Sequence, residues 1–353
     1  MKVLIAMDKY KGSLTAVQAG EAVQRGLARA WAEAETAVCP IADGGEGTTE
    51  ALVTALKGEW IVVTVQDALG RPIQARYGLT GDGVAIMEMS AASGLALVSD
   101  QPLQPELAST FGTGEMMRDA MQRGAWQIIV GIGGSATNDG GRGMAEALGY
   151  RFREAGIIRP PLRDCEVLVA CDVDNALLGE RGVTRVYGGQ KGVRDFESFE
   201  QRMLELADAV AIDLGVDYRH VPGAGAAGGL GFGLMSFCDA RLISGFDLVA
   251  DVTRLETRIQ AADLVITGEG RVDAQTLFGK GPAGVAQMAQ KHGKPVIAIA
   301  GAMEDSEEVR QRFDQAYAVK PAEMPLEEAM RRGAELIEET VVQHAGRFRE
   351  LVL

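Results

Sequence analysis

Short runs of apolar, β-branched residues alternate along this chain with longer amphipathic stretches, the pattern of α/β units around a largely parallel sheet. Residues 3–6 are continuously apolar, as a strand covered on both faces must be. Thr15-Ala16-Val17-Gln18 then has the spacing of a capping box, with Leu14 in the staple position before it. In the stretch that follows, Ala19, Val23, Leu27 and Ala30 with Trp31 recur every three or four residues, which predicts a helix with one buried face. Residues 36–41 and 60–65 read as strands, with a helix over 48–56 between them.

The character changes after Asp67. Leu69-Gly70-Arg71-Pro72 is a turn cluster, and residues 73–79 and 84–89 read as a hairpin around Thr80-Gly81-Asp82-Gly83. Further on, 113–123 and 196–213 read as helices and 126–132 and 166–171 as strands. Strand–helix alternation resumes with strands over 264–267, 296–300 and 316–319, a helix over 284–290 and a closing helix over 326–344. A chain of 353 residues is long enough for two domains of ~100–200 residues each. The expected fold class is α/β: a Rossmann-like parallel-sheet domain with an inserted second α/β domain containing antiparallel strands. Its expected bounds are 1–66 and 241–353 for the discontinuous domain and 67–240 for the insertion.

Charge and composition remove several function classes. The net charge is −14, so a polyanion gains no counterion-release energy here, and neither nucleic acid nor an anionic membrane surface is an expected partner. Cys39, Cys165, Cys171 and Cys238 lack any C-x-x-C spacing and lie in or beside apolar runs, as reduced core residues do. His220, His292 and His344 are the only histidines, and no zinc cluster can be assembled by spacing. The apolar run at the N-terminus is cut by Asp8, Lys9 and Lys11 before a signal-peptide core could form. No stretch approaches the ~20 apolar residues of a membrane helix. A cytoplasmic protein is expected.

Glycine is unusually abundant, 45 of 353 residues, in a chain too apolar for disorder. Gly131-Ile132-Gly133-Gly134-Ser135-Ala136-Thr137-Asn138-Asp139-Gly140-Gly141 directly follows an expected strand. Glycines there let backbone N–H groups converge on an anion, with Ser135, Thr137 and Asn138 as further donors. The bland alternative is a glycine turn needed only for chain reversal. The loop and Gly223-Ala224-Gly225-Ala226-Ala227-Gly228 both match the dinucleotide pattern G-x-G-x-x-G/A, but neither sits squarely between a strand and a helix. A Walker A motif is absent.

Carboxylates cluster at expected strand ends: Asp8, Asp43 in Asp43-Gly44-Gly45-Glu46-Gly47, Asp172 with Asp174, and Glu269 with Asp273 in Gly268-Glu269-Gly270-Arg271-Val272-Asp273. Hard oxygen ligands in that position suit Mg²⁺ held together with substrate phosphates. Singly, each is as well read as a solvated loop residue or a helix cap. Lys191 and Lys280 are flanked by glycines that would allow close approach to a phosphate, while Lys9 and Lys11 follow Asp8. These parts suit phosphoryl transfer, which needs positioning, charge neutralisation and one base, without histidine or cysteine.

Over nearly its whole length the chain resembles the type-1 group of bacterial glycerate kinases. The resemblance is carried by Ala6-Met7-Asp8-Lys9-Tyr10-Lys11-Gly12-Ser13-Leu14, Ala42-Asp43-Gly44-Gly45-Glu46-Gly47-Thr48 and the 131–141 loop. It continues through Ala170-Cys171-Asp172-Val173, Gly189-Gln190-Lys191-Gly192, residues 222–229 and 267–273. The chain departs from the family's pattern at Met7, Ala176 and Gly189, where proline is common, and is shorter between Gly149 and Cys165. The resemblance implies ATP- and Mg²⁺-dependent phosphorylation of D-glycerate on a two-domain α/β scaffold with the active site in the cleft. On that expectation Gly131, Gly133, Gly134, Ser135, Thr137 and Asn138 take the ATP phosphates. Lys191 and Lys280 neutralise transition-state charge, Asp172 is the base, and Asp43 and Glu269 lie nearer Mg²⁺. Asp8, Lys11 and Ser93 meet the glycerate, Lys11 at its carboxylate. The expected product is 2-phosphoglycerate, with 3-phosphoglycerate as the alternative, and a homodimer stays open. An NAD-dependent 2-hydroxyacid dehydrogenase and a non-catalytic sugar-acid sensor are the rivals from other classes.

Overall fold

The computed structural model describes residues 1–45, 47–160, 164–273, 281–304 and 306–352. The strands run, in chain order, β1 Lys2–Met7, β2 Glu35–Val38, β3 Glu59–Gln66, β4 Pro72–Leu79, β5 Val84–Glu88, β6 Gln127–Gly131, β7 Arg151–Arg153, β8 Gly156–Ile158, β9 Glu166–Ala170, β10 Arg241–Ile243, β11 Leu264–Gly268, β12 Arg271–Val272, β13 Val296–Ala300, β14 Ala302–Met303 and β15 Gln315–Ala318. They fall into two units, the first comprising 1–43, 50–56 and 246–353, the second 44–49 and 57–245.

The first unit holds an all-parallel sheet in the order β15-β13-β11-β1-β2. Alternate residues of β1 feed two separate cores, as a sheet covered on both faces requires. Val3, Ile5 and Met7 pack with Ala19, Val23 and Leu27 of the Ala16–Ala30 helix and with Leu336, Ile337 and Val341 of the Gly333–Glu350 helix. Leu4 and Ala6 pack on the opposite side with Leu255, Ile259, Val285 and Ala289. The capping box forms as its spacing predicts: Gln18 N–H donates to Thr15 Oγ1 at 3.2 Å, and Thr15 N–H donates to Gln18 Oε1 at 3.0 Å.

The second unit is built on a six-stranded sheet in the order β10-β9-β6-β5-β4-β3. β3, β4 and β5 are antiparallel neighbours, and β5, β6, β9 and β10 are parallel. The parallel strands follow one another in sequence order, so right-handed crossovers carry their helices to the same face. Val65, Ala75, Tyr77, Ala85, Met87, Ile128 and Val130 accordingly share one core with residues of the Phe111–Gln122, Phe196–Leu214 and Ala226–Cys238 helices.

Two local expectations differ from what is found, and one element was not anticipated. Besides 44–49, the second unit runs continuously from Lys57, whereas the expected insertion began after Asp67; β3 belongs to it because it pairs with β4 along its full length, Glu59 opposite Leu79 through Gln66 opposite Pro72. The closing helix is two helices, Leu326–Arg331 and Gly333–Glu350. Gly333 comes so close to Ser13 that a Cβ there would lie 2.7 Å from Ser13 Oγ. Residues 226–238 form a buried segment that leaves helical geometry at Ala227, Gly228 and Gly229 and is helical after them; no periodicity announced it, because apart from Ser236 it is apolar or glycine all round.

Candidate active site

In the first unit the sheet order reverses at β1, with β2 on one side and β11 on the other. Doubly wound sheets of this 2-1-3-4-5 order take ligands in the crevice outside the carboxyl ends of the strands at the reversal. Asp8 is the residue after β1 and Glu269 the residue after β11. Asp8 N–H donates to Gly268 O at 2.8 Å, tying the two loops together. Glycine is required at 268, where a Cβ would lie 1.7 Å from Ile299 O. Tyr10, which no sequence signal distinguished by role, is buried and donates its hydroxyl to Ile299 O at 2.7 Å.

Asp8 is only 5% exposed. Loss of hydration pushes its carboxyl up to about 6; the Lys9 ammonium and an N–H bond from Lys9 oppose the rise, and Asp43 adds to it. That bond runs from Lys9 N–H to Asp8 Oδ1 at 2.6 Å, and Lys9 Nζ meets Asp43 Oδ1 at 3.1 Å. Asp8, Lys9 and Asp43 therefore form one charged group at the end of β1 and past the end of β2. Glu269 is half-buried, and Lys11 is exposed with no side-chain partner among the described residues. Lys280 and Glu46 lie outside the described residues.

In the second unit the 131–141 loop leaves the carboxyl end of β6, and Asp172 follows β9 beside it. Gly44 and Gly45 cross these strand ends: a Cβ on Gly44 would lie 3.1 Å from Ala170 Cβ, and one on Gly133 would lie 3.8 Å from Gly45 Cα. Asp172 is exposed and its Oδ1 accepts the Gly245 N–H at 3.2 Å.

The loop does two things at once. Gly133 and Gly134 are exposed, and their N–H groups have no partner among the described residues. Everything after them turns inward. Ser135, Thr137 and Asn138 are buried. Thr137 N–H donates to Ser135 Oγ at 3.1 Å, and Asn138 Nδ2 donates to Thr184 Oγ1 at 3.1 Å. Asn138 Oδ1 is buried with no partner among the described residues. Lys191, expected beside a phosphate, is 3% exposed and donates to Thr137 O at 2.6 Å and Ser135 Oγ at 3.2 Å. Burial lowers its ammonium to about 8, partly offset by Asp139. Ser93, expected at the substrate, is fully buried with its hydroxyl 2.8 Å from Thr113 Oγ1.

Two contributors went unassigned in the sequence. Asp139 receives N–H bonds from Thr110, Gly141 and Gly143 and the Thr110 hydroxyl, at 2.8–3.2 Å. Burial raises its carboxyl, and these four donors pull it back. The Asx-turn signal of Asp139-Gly140-Gly141 was there to be read. Glu88, at the end of β5, accepts the N–H groups of Gly47 and Thr49 at 3.1 and 3.2 Å. No sequence pattern links residues so far apart. Among the described residues no three His, Cys, Asp or Glu side chains gather as a metal cage, and no helix is long and apolar enough to cross a membrane.

Comparison with known proteins points the same way over the whole chain. A sequence model of the glycerate kinase family matches residues 3–157 and 154–349. A glycerate kinase of Halalkalibacterium halodurans is 44% identical over 96% of this chain and 95% of its own length. Escherichia coli glycerate 2-kinase is 41% identical over 94% and 93%. A solved structure described as a glycerate kinase 2 from Salmonella typhimurium LT2 superposes with a TM-score of 0.90 at 40% identity, covering 99% of this chain and 98% of its own. With a family match across both units and relatives of this similarity at full length, this chain belongs to the glycerate kinase family.

Proposed function

We propose that this protein transfers the γ-phosphoryl group of ATP to the 2-hydroxyl of D-glycerate, giving 2-phosphoglycerate. Beyond family membership, one observation carries the reading: the adjacent exposed amides of Gly133 and Gly134, unpaired among the described residues, on a loop whose next residues are locked inward. Unpaired, fixed N–H groups at a strand's carboxyl end suit phosphate oxygens. The similar Escherichia coli protein, named a glycerate 2-kinase, favours the 2-hydroxyl.

Gly133 and Gly134 hold phosphate oxygens through their N–H groups, and residues 131–138 give those amides their shape. The fit to Mg²⁺ rests on the donor set. Mg²⁺ keeps several waters and needs one or two carboxylates beside the phosphates, so the lack of a three-residue cage among the described residues does not exclude it. Asp43 and Glu269, oxygen ligands near the ends of β2 and β11, would hold it. Held there, it would supply positive charge to offset the charge that develops on the transferring phosphoryl group. Lys11, exposed on the loop after β1, pairs with the glycerate carboxylate. Asp172 takes the proton of the attacking hydroxyl. Asp8 is the second candidate for that role, favoured by a carboxyl pushed up to about 6, close to the range in which a base works best.

The test is ³¹P NMR of the protein with D-glycerate, ATP and Mg²⁺. The expected result is a new phosphomonoester doublet growing as ATP becomes ADP. A triplet would mean the 3-hydroxyl is the acceptor, and an unchanged spectrum from folded protein would overturn the reading. An absorbance change with NAD and glycerate, without ATP, would favour the dehydrogenase instead.

A further inference from the structure

Lys191 ends a single turn of 3₁₀ helix, Gly189–Lys191, and its side chain runs into the second unit rather than out of it. Its ammonium meets the 131–141 loop from the inside. One donor goes to Thr137 O at 2.6 Å and another to Ser135 Oγ at 3.2 Å. The Thr137 carbonyl is pressed from elsewhere by Gly228, where a Cβ would lie 1.8 Å from the oxygen. Ser135 Oγ is also within 3.2 Å of Ala227 O. The ammonium thus fixes Ser135 and Thr137, the first and third residues after the exposed pair Gly133 and Gly134.

This charge has no contact counter-ion among the described residues. Asp139 acts on it at a distance, and that carboxylate is already taken by four loop donors. The Ala226–Cys238 helix packed on the same loop carries no charged residue. Arg185, on the Val183–Tyr187 helix, is turned to Glu197 and Glu200. A buried ammonium without a paired anion is costly to keep. A structural pin alone does not require charge. An anion resting on the far side of the loop does.

We infer that Lys191 is a positioning residue: from inside the second unit its ammonium holds Ser135 and Thr137 so that the Gly133 and Gly134 amides stay open to a phosphate, and lends its charge through the loop without touching the ligand. The inference rests on the reading of this loop as the ATP phosphate site. It carries a pH consequence. Burial places the ammonium at about 8, so the pin and its charge are intact at neutral pH and are lost as pH rises through that value.

The test combines amide hydrogen exchange with kinetics on the full chain. In Lys191→Met at about pH 7, the Ala136, Thr137 and Gly140 amides are expected to exchange about 10-fold faster or more, with β1 and β11 unchanged. Unchanged protection of the loop would overturn the inference. If Lys191→Met does not fold, the wild-type chain decides: loop protection, corrected for intrinsic rate, should fall between about pH 7 and pH 9, and a constant value overturns the inference. In turnover assays the wild-type kcat/KM for ATP should decline above about pH 8, Lys191→Met should lose about 10²-fold in kcat, and Lys191→Arg should recover activity and lose the alkaline decline. An alkaline decline that persists in Lys191→Arg overturns the inference. Wild-type protein that phosphorylates no glycerate would sink the functional reading alone, since the exchange measurement stands without it.

Discussion

The backbone of Gly228 faces the Thr137 carbonyl so closely that a Cβ built on Gly228 would lie 1.8 Å from the oxygen, and Gly140 N–H donates to Gly228 O at 3.0 Å. The second glycine motif is thus packed backbone to backbone against the first. Ala227, Gly228 and Gly229 are all left-handed, with φ of 53°, 75° and 84°. Gly228→Ala combines a backbone clash with an unfavourable φ, and should cost more than about 3 kcal/mol. Urea denaturation would read the loss directly. A wild-type midpoint would show that the two motifs are not packed as described.

Asp8→Asn should trade function for stability. The Asp8 carboxyl lies at about 6, above its ordinary 3.8, so the folded chain holds the proton more tightly than the unfolded one. Its ionisation therefore weakens the fold above about pH 6, and the penalty fades as pH falls toward 4. Asparagine can still accept the Lys9 N–H and is never charged. The variant should be more stable than wild type at pH 8, by at most about 3 kcal/mol for a shift of this size, and equal to it below about pH 4. Thermal melts across pH would show this. A variant less stable than wild type at pH 8 would contradict the assigned burial cost.

Asp172→Asn should lower kcat by about 10²–10⁴ if Asp172 is the base. The amide oxygen can keep the Gly245 N–H, so the loop should retain its shape. Steady-state kinetics of both aspartate variants separates the candidates. Near wild-type turnover in Asp172→Asn, with collapse in Asp8→Asn, would pass the role to Asp8.

Thr15→Ala provides a change confined to a helix end. It removes the acceptor for Gln18 N–H and half of the reciprocal cap, and should cost about 1 kcal/mol. Activity of the folded protein should be unaltered. A fall in kcat at temperatures well below the melt would mean that this helix does more than support β1.

Much of the architecture was legible because its signals are local. The capping box at Thr15 needs only four residues, and the continuous apolar run of β1 needs only a strand covered on both faces. The hairpin between β4 and β5 is announced by its turn, where Gly83 N–H donates to Thr80 O at 3.0 Å. The carboxylates after strands were legible too: Asp8 and Glu269 directly follow β1 and β11, and Asp172 lies two residues past the end of β9.

By itself, then, the sequence determined the α/β class, most of the strands and the loops in which polar and glycine residues gather. Tertiary structure alone decided which way those residues face. Ser135, Thr137, Ser93 and Lys191 look in sequence like donors offered to a ligand, and all four turn inward. The partners that turn them lie far along the chain: Lys191 is 56 residues from Ser135, and Ala227 is 92. Short-range propensity has no term for such contacts. The same holds for β3, whose own residues specify a strand, while only its pairing with β4 assigns it to the second unit.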